Sequence, residues 1–259
     1  MQQSSLGGAH YLSKGLSLVW KPGIRSYVFV PLLINIVLLT TATIYAFNEI
    51  TSWYNELQTS DNSFIQWIME YLDWLLWPLI VFTVFVVVFF IFAFIANWIA
   101  APFNGLLSEA VERHLEAEDS HNKSRTAQNN FSWRGFLQEI PRLFVREWQK
   151  FIYYLPRAIF CIILFFTPLA IVAPFIWFFF NAWMAVIQYI DYPMDNHKVP
   201  FSQMLIQIKQ KKSLSFSFGL LVMFFTMIPV INIFLMPVAV AGATNLWFDH
   251  YSQTRKEIS

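Results

Sequence analysis

The residues best suited to chemistry form a short turn at 22–26, Pro-Gly-Ile-Arg-Ser. The turn ends one predicted helix and begins another, so backbone N–H groups near 24–27 point out of a helix N-terminus. Such donors and the positive end of the helix dipole favour an anion. Arg25 adds a planar cationic donor fork, and Gly23 allows close approach of an oxyanion. A membrane-boundary turn with an ordinary cytoplasmic arginine is the simpler interpretation and, from the turn alone, the favoured one.

A second candidate is the basic stripe formed by Arg142, Arg146 and Lys150, which follow one another at intervals of four residues. This spacing places the three cations on one face of a helix. They could lead an anion towards a pore. A juxtamembrane stripe that meets lipid headgroups is the commoner use of such a pattern.

Polar amides inside apolar segments are a third feature, because an unpaired polar group in lipid is costly. Each can face a water-filled path, or can join helices through hydrogen bonds. The amides are Asn35, Asn97, Asn181, Gln188, Asn232 and Asn245. The candidates for a gate or anion path are Asn97, Asn104, Glu109, Arg142, Arg146, Glu147 and Lys150.

No motif for catalysis or for metal binding accompanies these residues. The sequence contains no HExxH, CxxC, Gly-x-Ser-x-Gly or P-loop pattern, and its histidines are dispersed. We therefore predict no catalytic residues, no metal and no cofactor.

The composition shows what kind of protein must position these residues. Of 259 residues, 57% are apolar and 13% are charged, whereas soluble domains carry about 25% charged residues. A soluble globule of this length could not bury so much apolar surface. The sequence therefore predicts an integral membrane protein.

Four stretches contain no charged residue: 26–48, 74–108, 158–190 and 213–248. The first fits one membrane crossing, which needs about 20 apolar residues, and most of the second reads as one long helix. The third and fourth are too long for one crossing and too short for two, and a pair of prolines interrupts each. Two re-entrant helical hairpins fit these lengths best, and two proline-kinked spans are the alternative.

The distribution of charge favours the hairpins. The segment 49–73 contains acidic residues but no lysine or arginine, so all 17 basic residues lie elsewhere. Two spans and two same-side hairpins place every basic segment on one face, which the positive-inside rule assigns to the cytoplasm. Kinked spans would instead place the four lysines of 198–212 outside.

These observations predict an all-α integral membrane protein with two long transmembrane helices, two re-entrant hairpins and amphipathic cytoplasmic helices. Both termini and the segments that connect the hairpins are predicted to be cytoplasmic. The predicted parts are an interfacial helix at 6–22, span 1 at 26–48, span 2 at 74–103, a cytoplasmic helical region at 104–157 with a linker at 116–130, hairpin 1 at 158–190 and hairpin 2 at 213–248.

Several longer strings resemble the CysZ family of bacterial inner-membrane sulfate transporters, and the resemblance covers nearly the whole chain. The clearest is 96–109, Ala-Asn-Trp-Ile-Ala-Ala-Pro-Phe-Asn-Gly-Leu-Leu-Ser-Glu. The others are Val-Arg-Glu-Trp-Gln-Lys at 145–150, Tyr-Leu-Pro-Arg-Ala at 154–158, Asp-Tyr-Pro-Met-Asp-Asn-His-Lys at 191–198, Pro-Gly-Ile-Arg at 22–25 and Met-Pro-Val-Ala-Val at 236–240.

The resemblance implies sulfate uptake across the bacterial inner membrane for cysteine biosynthesis, by a homo-oligomer built from dimers. It implies a sulfate-binding turn of glycine, isoleucine or leucine, and two arginines. That turn maps onto Gly23, Ile24, Arg25 and Ser26, so a serine stands where the family has its second arginine. Ser26 can donate a hydrogen bond but brings no charge.

We therefore expect a permease or channel rather than an enzyme. Its expected partners are sulfate, with sulfite or related oxyanions, and the lipid bilayer, but not nucleic acid. Glu109 and Glu147 are candidates for a pH-sensitive gate, although each could simply pair with Arg113 or Arg146. The alternative function is a non-transporting membrane scaffold that organises a partner complex.

Overall fold

A computed structural model describes residues 7–59, 62–119 and 133–252. It describes their side chains except at 65, 68–69, 92–102, 133–140, 143, 229–230 and 233. Over these ranges the fold is entirely helical, as the sequence predicts. The α-helices are α1 (Gly8–Leu18), α2 (Ser26–Gln58), α3 (Ser63–Asp119), α4 (Trp133–Leu164), α5 (Ala173–Asn196), α6 (Phe201–Gln210), α7 (Lys212–Thr226) and α8 (Pro229–His250), with a 3-10 helix at Pro168–Ile171.

The chain divides into two compact units. The smaller unit, 26–103, contains α2 and the first part of α3. Ser26–Gln58 and Glu70–Ile91 are long and apolar enough to cross a membrane. Their large apolar side chains are mostly exposed, as expected of surfaces that lipid covers. Within this unit the Tyr54 hydroxyl donates to Asp73.

The larger unit comprises 1–25 and 104–259, and its core is formed by α1, α5, α7 and α8. Four glycines bring these helices into close contact, because a Cβ at each would lie less than 3 Å from a neighbouring backbone atom: Gly8, Gly15, Gly219 and Gly242. The apolar side of α1 packs against α7 and α8, with Tyr11 and Leu18 fully buried. The helix predicted to lie along the membrane interface therefore buries part of its apolar side within the protein, while Leu16 is exposed.

Both predicted hairpins are present as pairs of helices that pack side by side. Between α4 and α5 the chain reverses through the 3-10 helix, where the Thr167 hydroxyl accepts a hydrogen bond from the N–H of Leu169 at 3.2 Å. Between α7 and α8 it reverses at Met227 and Ile228. Because the arms pack against each other, neither segment is a single kinked span.

The helices of hairpin 1 are longer than the charge-free stretch indicates. Helix α4 continues through Pro156, and α5 has 24 residues, which makes it a third helix long enough to cross a membrane. Asp191 and Asp195 do not end α5, because both are buried against cations of α4. A charge marks the end of an apolar helix only where water must solvate it.

Helix α4 buries charged residues and exposes apolar ones. Arg146 and Lys150 are buried, whereas a row of large apolar side chains faces outward. A helix oriented in this way suits lipid rather than water as its surroundings. The exposed row is Phe144, Val145, Trp148, Phe151, Ile152, Leu155 and Ile159.

The predicted linker at 116–130 is helical at its start, since α3 continues to Asp119. Its remainder lies outside the described residues.

Candidate functional site

The anion turn, residues 22–26, is held by its backbone. The carbonyl oxygen of Lys21 accepts hydrogen bonds from the N–H groups of Ile24 at 3.1 Å and Arg25 at 3.2 Å. Gly23 has a φ of +87°, a conformation that a residue with a Cβ adopts only with strain. The Ile24 side chain is 2% exposed and anchors the turn in the protein. The sequence therefore folds locally around one glycine and one buried apolar side chain.

The polar groups of the turn face outward. Arg25 and Ser26 are exposed, and among the described residues no carboxylate pairs with Arg25. A Cβ added at Gly23 would meet open space, so a ligand can approach its backbone. The N–H groups of Ile24 and Arg25 are already bonded to Lys21, and the first N–H groups of a helix have no partner within it. The backbone donors for a ligand therefore begin at Ser26, the first residue of α2.

Lys21 is a second cation of this region that the sequence interpretation did not single out. Its ammonium group lies 3.5 Å from Glu118, and both side chains are about half exposed. A surface pair of this kind contributes little to stability, and an anion can compete for its lysine. Lys21 is thus available to supply some of the charge that Ser26 lacks.

The basic stripe of α4 forms a buried ion cluster with α5. The Nε of Arg146 lies 2.6 Å from Asp191, and the Nζ of Lys150 lies 3.1 Å from the other oxygen of Asp191. All three side chains are buried, with 7% of Arg146, 5% of Lys150 and 4% of Asp191 exposed. One guanidinium nitrogen of Arg142 lies 2.5 Å from Asp195. Every cation of the stripe therefore has an internal carboxylate partner.

Further hydrogen bonds complete the ion cluster. Arg146 donates to the carbonyl of Val199 at 3.0 Å, and Lys150 donates to Glu147 at 2.5 Å. Burial alone would lower the pKa of Lys150, but the Asp191 and Glu147 carboxylates raise it above its usual value. Lys150 is therefore charged throughout the physiological range. A sulfate ion could bind here only by displacing a carboxylate from a buried cation.

Asp191 and Asp195 are the residues that the sequence interpretation missed. A usable signal was present, because the step of four residues from Arg142 to Arg146 along α4 is matched by the step of four from Asp195 back to Asp191 along α5. Antiparallel arms of a hairpin bring such positions together, so Arg142 meets Asp195 and Arg146 meets Asp191. In the sequence, Asp191 instead marks the end of the charge-free stretch 158–190.

The other path candidates are dispersed. The Asn104 amide donates to the Tyr192 hydroxyl at 3.2 Å, and Glu109 lies 3.8 Å from Arg113. Glu147 pairs with Lys150, as described above. Asn97 lies in α3, but its side chain is outside the described residues.

Two of the predicted amides take part in internal hydrogen bonds. Gln188 donates to Tyr192 at 3.2 Å and accepts from Lys150 at 3.3 Å, and Asn181 donates to the Trp177 carbonyl at 2.8 Å. Asn245 is fully buried, and its amide has no hydrogen-bond partner within the described part of the chain. Of these amides, Gln188 joins α5 to α4 through Lys150, whereas the hydrogen bond of Asn181 stays within α5.

Comparison with known families agrees with the resemblance drawn from the sequence. The family described as sulfate transporter CysZ/etoposide-induced protein 2.4 (EI24) matches residues 11–237. The match includes the anion turn, the whole smaller unit, most of the larger unit and the ion cluster. It supports a role related to sulfate transport at the level of the family, and the apolar helices fit a membrane protein. This chain belongs to the EI24 family of sulfate transporter CysZ-like proteins.

Proposed function

We propose that this protein is a sulfate permease or channel of the bacterial inner membrane that imports sulfate for cysteine biosynthesis. The observation that carries the proposal is the anion turn, where Arg25 is exposed and has no carboxylate partner among the described residues. Sulfate is a dianion with four acceptor oxygens, and this turn offers a guanidinium, a serine hydroxyl and helix N-terminal N–H groups. Sulfite and related oxyanions share this chemistry and are further candidate substrates.

The transport step is not enzymatic in this proposal, and it requires no cofactor. Moving a dianion into a cell against a potential of about −100 mV costs about 4.6 kcal/mol. Uptake is therefore driven by the sulfate gradient, by consumption of sulfate inside the cell, or by protons. Glu109 and Glu147 remain our candidates for a proton-sensitive gate, since both are partly exposed.

The ion cluster has a different role in the proposal. Its three cations are compensated internally, so we assign it to holding α4 against α5 rather than to leading sulfate along the helix. Glu109 and the half-exposed Glu147 are then the members of the predicted path that stay accessible to this function, since Asn104 is buried. The basic segments lie on the cytoplasmic face by the positive-inside rule, together with both termini. The working unit is a homo-oligomer built from dimers in the lipid bilayer.

Radiolabelled sulfate uptake into proteoliposomes tests the function. Wild-type protein should take up sulfate well above empty liposomes, and Arg25→Ala should lose most of that uptake. Lys209→Gln is the matched control, because it removes an exposed cation of α6 away from the turn.

Uptake by the wild type equal to that of empty liposomes would contradict the transport proposal and favour the scaffold function. Uptake that is normal in Arg25→Ala would contradict only the assignment of the turn.

A further inference from the structure

A groove on hairpin 1 lies apart from the anion turn and the ion cluster. Its volume is about 520 Å³, and it opens between α4 and α5. Four apolar or weakly polar side chains and one arginine line it: Pro156, Arg157, Phe160, Cys161 and Phe180. The groove thus combines an apolar wall with a single charge.

Arg157 differs from the other cations of α4. Arg142, Arg146 and Lys150 each have a carboxylate partner, whereas no carboxylate of a described residue pairs with Arg157. One guanidinium nitrogen of Arg157 donates to the Tyr153 carbonyl at 2.6 Å, and the group stacks on the Tyr153 ring at 3.7 Å. These two contacts hold an exposed guanidinium in place while most of its five N–H donors remain for a ligand.

The surroundings of the groove are those of a membrane interface. Arg157 directly precedes the charge-free stretch of hairpin 1, and the exposed apolar row of α4 leads up to it. The Trp183 indole donates to the Tyr153 hydroxyl at 3.2 Å, and Tyr154 packs on Phe180. Tryptophan and tyrosine concentrate at the level of lipid headgroups. An arginine at the level of the headgroups contacts the phosphate of a lipid, and the apolar wall of the groove beyond it contacts the acyl chain.

We propose that this groove binds an anionic phospholipid, whose phosphate contacts Arg157 and whose acyl chain lies along Phe160, Cys161 and Phe180. An anionic headgroup is favoured over a zwitterionic amine headgroup, because the only charged residue that lines the groove is a cation. The ammonium group of a zwitterionic headgroup would find no carboxylate among the residues that line the groove. The site is independent of the sulfate turn and does not rest on the transport function.

Native mass spectrometry of protein exchanged into mixed phosphatidylglycerol and phosphatidylethanolamine tests the proposal. Wild-type protein should retain phosphatidylglycerol preferentially. Arg157→Gln should lower that retention about five-fold, the effect of one basic residue at an anionic surface, with phosphatidylethanolamine retention unchanged. Arg157→Lys should keep part of the preference, and Lys209→Gln should keep all of it.

Cys161 supplies a second readout, because it is the single cysteine of the chain and is 4% exposed. Its maleimide labelling should be slower in phosphatidylglycerol nanodiscs than in phosphatidylethanolamine nanodiscs, and Arg157→Gln should remove the difference. Because the two labelling rates are compared for the same variant, their difference does not depend on the stability of that variant.

Three results would overturn the proposal. The first is equal retention of both lipids by the wild type, and the second is an equal loss in Arg157→Gln and Lys209→Gln. The third is a labelling rate that depends on protein concentration but not on lipid, which would indicate that a second copy of the chain covers the groove.

Discussion

Arg25 and Arg146 carry the same guanidinium group in opposite surroundings. Arg25 is exposed at a turn, without a carboxylate partner among the described residues, whereas Arg146 is buried against Asp191 and bonded to the Val199 carbonyl. A guanidinium that has no internal partner is able to bind an anion. One whose donors are used stabilises the fold. The partners of an arginine, more than its presence, therefore distinguish a ligand site from a structural one.

Removing Asp191 tests the structural side of this comparison and has the largest expected effect. Asp191→Asn leaves Arg146 with only the more distant Asp195 carboxylate, at 4.0 Å, and Lys150 with only Glu147. Breaking a buried pair costs about 3–5 kcal/mol, because a charge stays buried without compensation. We expect this loss in the free energy of unfolding, measured by denaturant titration in detergent.

Two further variants complete that experiment. Glu116→Gln removes an exposed carboxylate near the end of α3 and should change stability by less than about 0.5 kcal/mol. Arg146→Met combined with Asp191→Leu should recover part of the loss, since both charges leave the interior. A stability of Asp191→Asn equal to that of the wild type would show that the cluster does not hold the hairpin.

The fold was predictable where apolar pattern alone decides it. The helical class, the long helices α2 and α3, and the two hairpins all follow from charge-free lengths and proline positions. The end of α5 was not predictable in this way, because Asp191 and Asp195 look like water-exposed termini until Arg142 and Arg146 are placed opposite them. The burial of α1 also depends on tertiary packing at Gly8 and Gly15.

The candidate site was predictable to a similar degree. Gly23 and Arg25 before an apolar helix were recognisable as a candidate anion turn, but the pattern alone favours an ordinary membrane-boundary turn, and the resemblance to the family is what points to sulfate. The bonding of two N–H groups to Lys21 was not, since it depends on the local turn geometry. The basic stripe was visible, but its partners lie far along the chain.

Gly23 tests whether the turn must keep its shape. Gly23→Ala forces a Cβ into a φ of +87°, which costs about 1 kcal/mol of stability. The open space around the position means that strain, not a clash, is the cause. We expect a lower melting temperature and weaker sulfate binding. Gly105→Ala is the control, because its Cβ would make only an ordinary contact at 3.6 Å with Asn196. If both substitutions lowered the melting temperature and sulfate binding equally, backbone strain at Gly23 would not be the cause.

A substitution of Ser26 tests whether the positive charge of the anion turn limits its affinity for sulfate. Ser26→Arg restores the second arginine that the family resemblance implies, and it should tighten sulfate binding several-fold, equivalent to about 1 kcal/mol. Isothermal titration at low and high ionic strength measures this change, and the gain should shrink with added salt. Binding no tighter than in the wild type would indicate that Lys21 already supplies the missing charge.

The smallest expected effect concerns pH and a histidine at the end of α8. Burial, then the nearby Lys211 ammonium, lower the pKa of His250, while Asp249 raises it. His250 contacts the Tyr11 hydroxyl of α1 at 2.7 Å and Lys211 at 3.2 Å. Because the folded protein takes up the proton less readily than the unfolded chain, stability should fall as the pH drops below about 6.5.

Melting temperatures at pH 7.5 and 5.5 measure this dependence. The decrease should be smaller in His250→Gln, which keeps a polar group without a titratable one. An identical decrease in both proteins would assign the pH dependence to groups other than His250.

Sulfate affinity in detergent, measured for two arginine variants, one from each region, distinguishes the anion turn from the ion cluster. Arg25→Ala should weaken sulfate binding by about 10- to 100-fold, the value of charge-assisted hydrogen bonds. Arg142→Ala, whose partner is Asp195, should bind sulfate as the wild type does. Loss of binding in Arg142→Ala with full binding in Arg25→Ala would contradict the account and place the anion at the ion cluster.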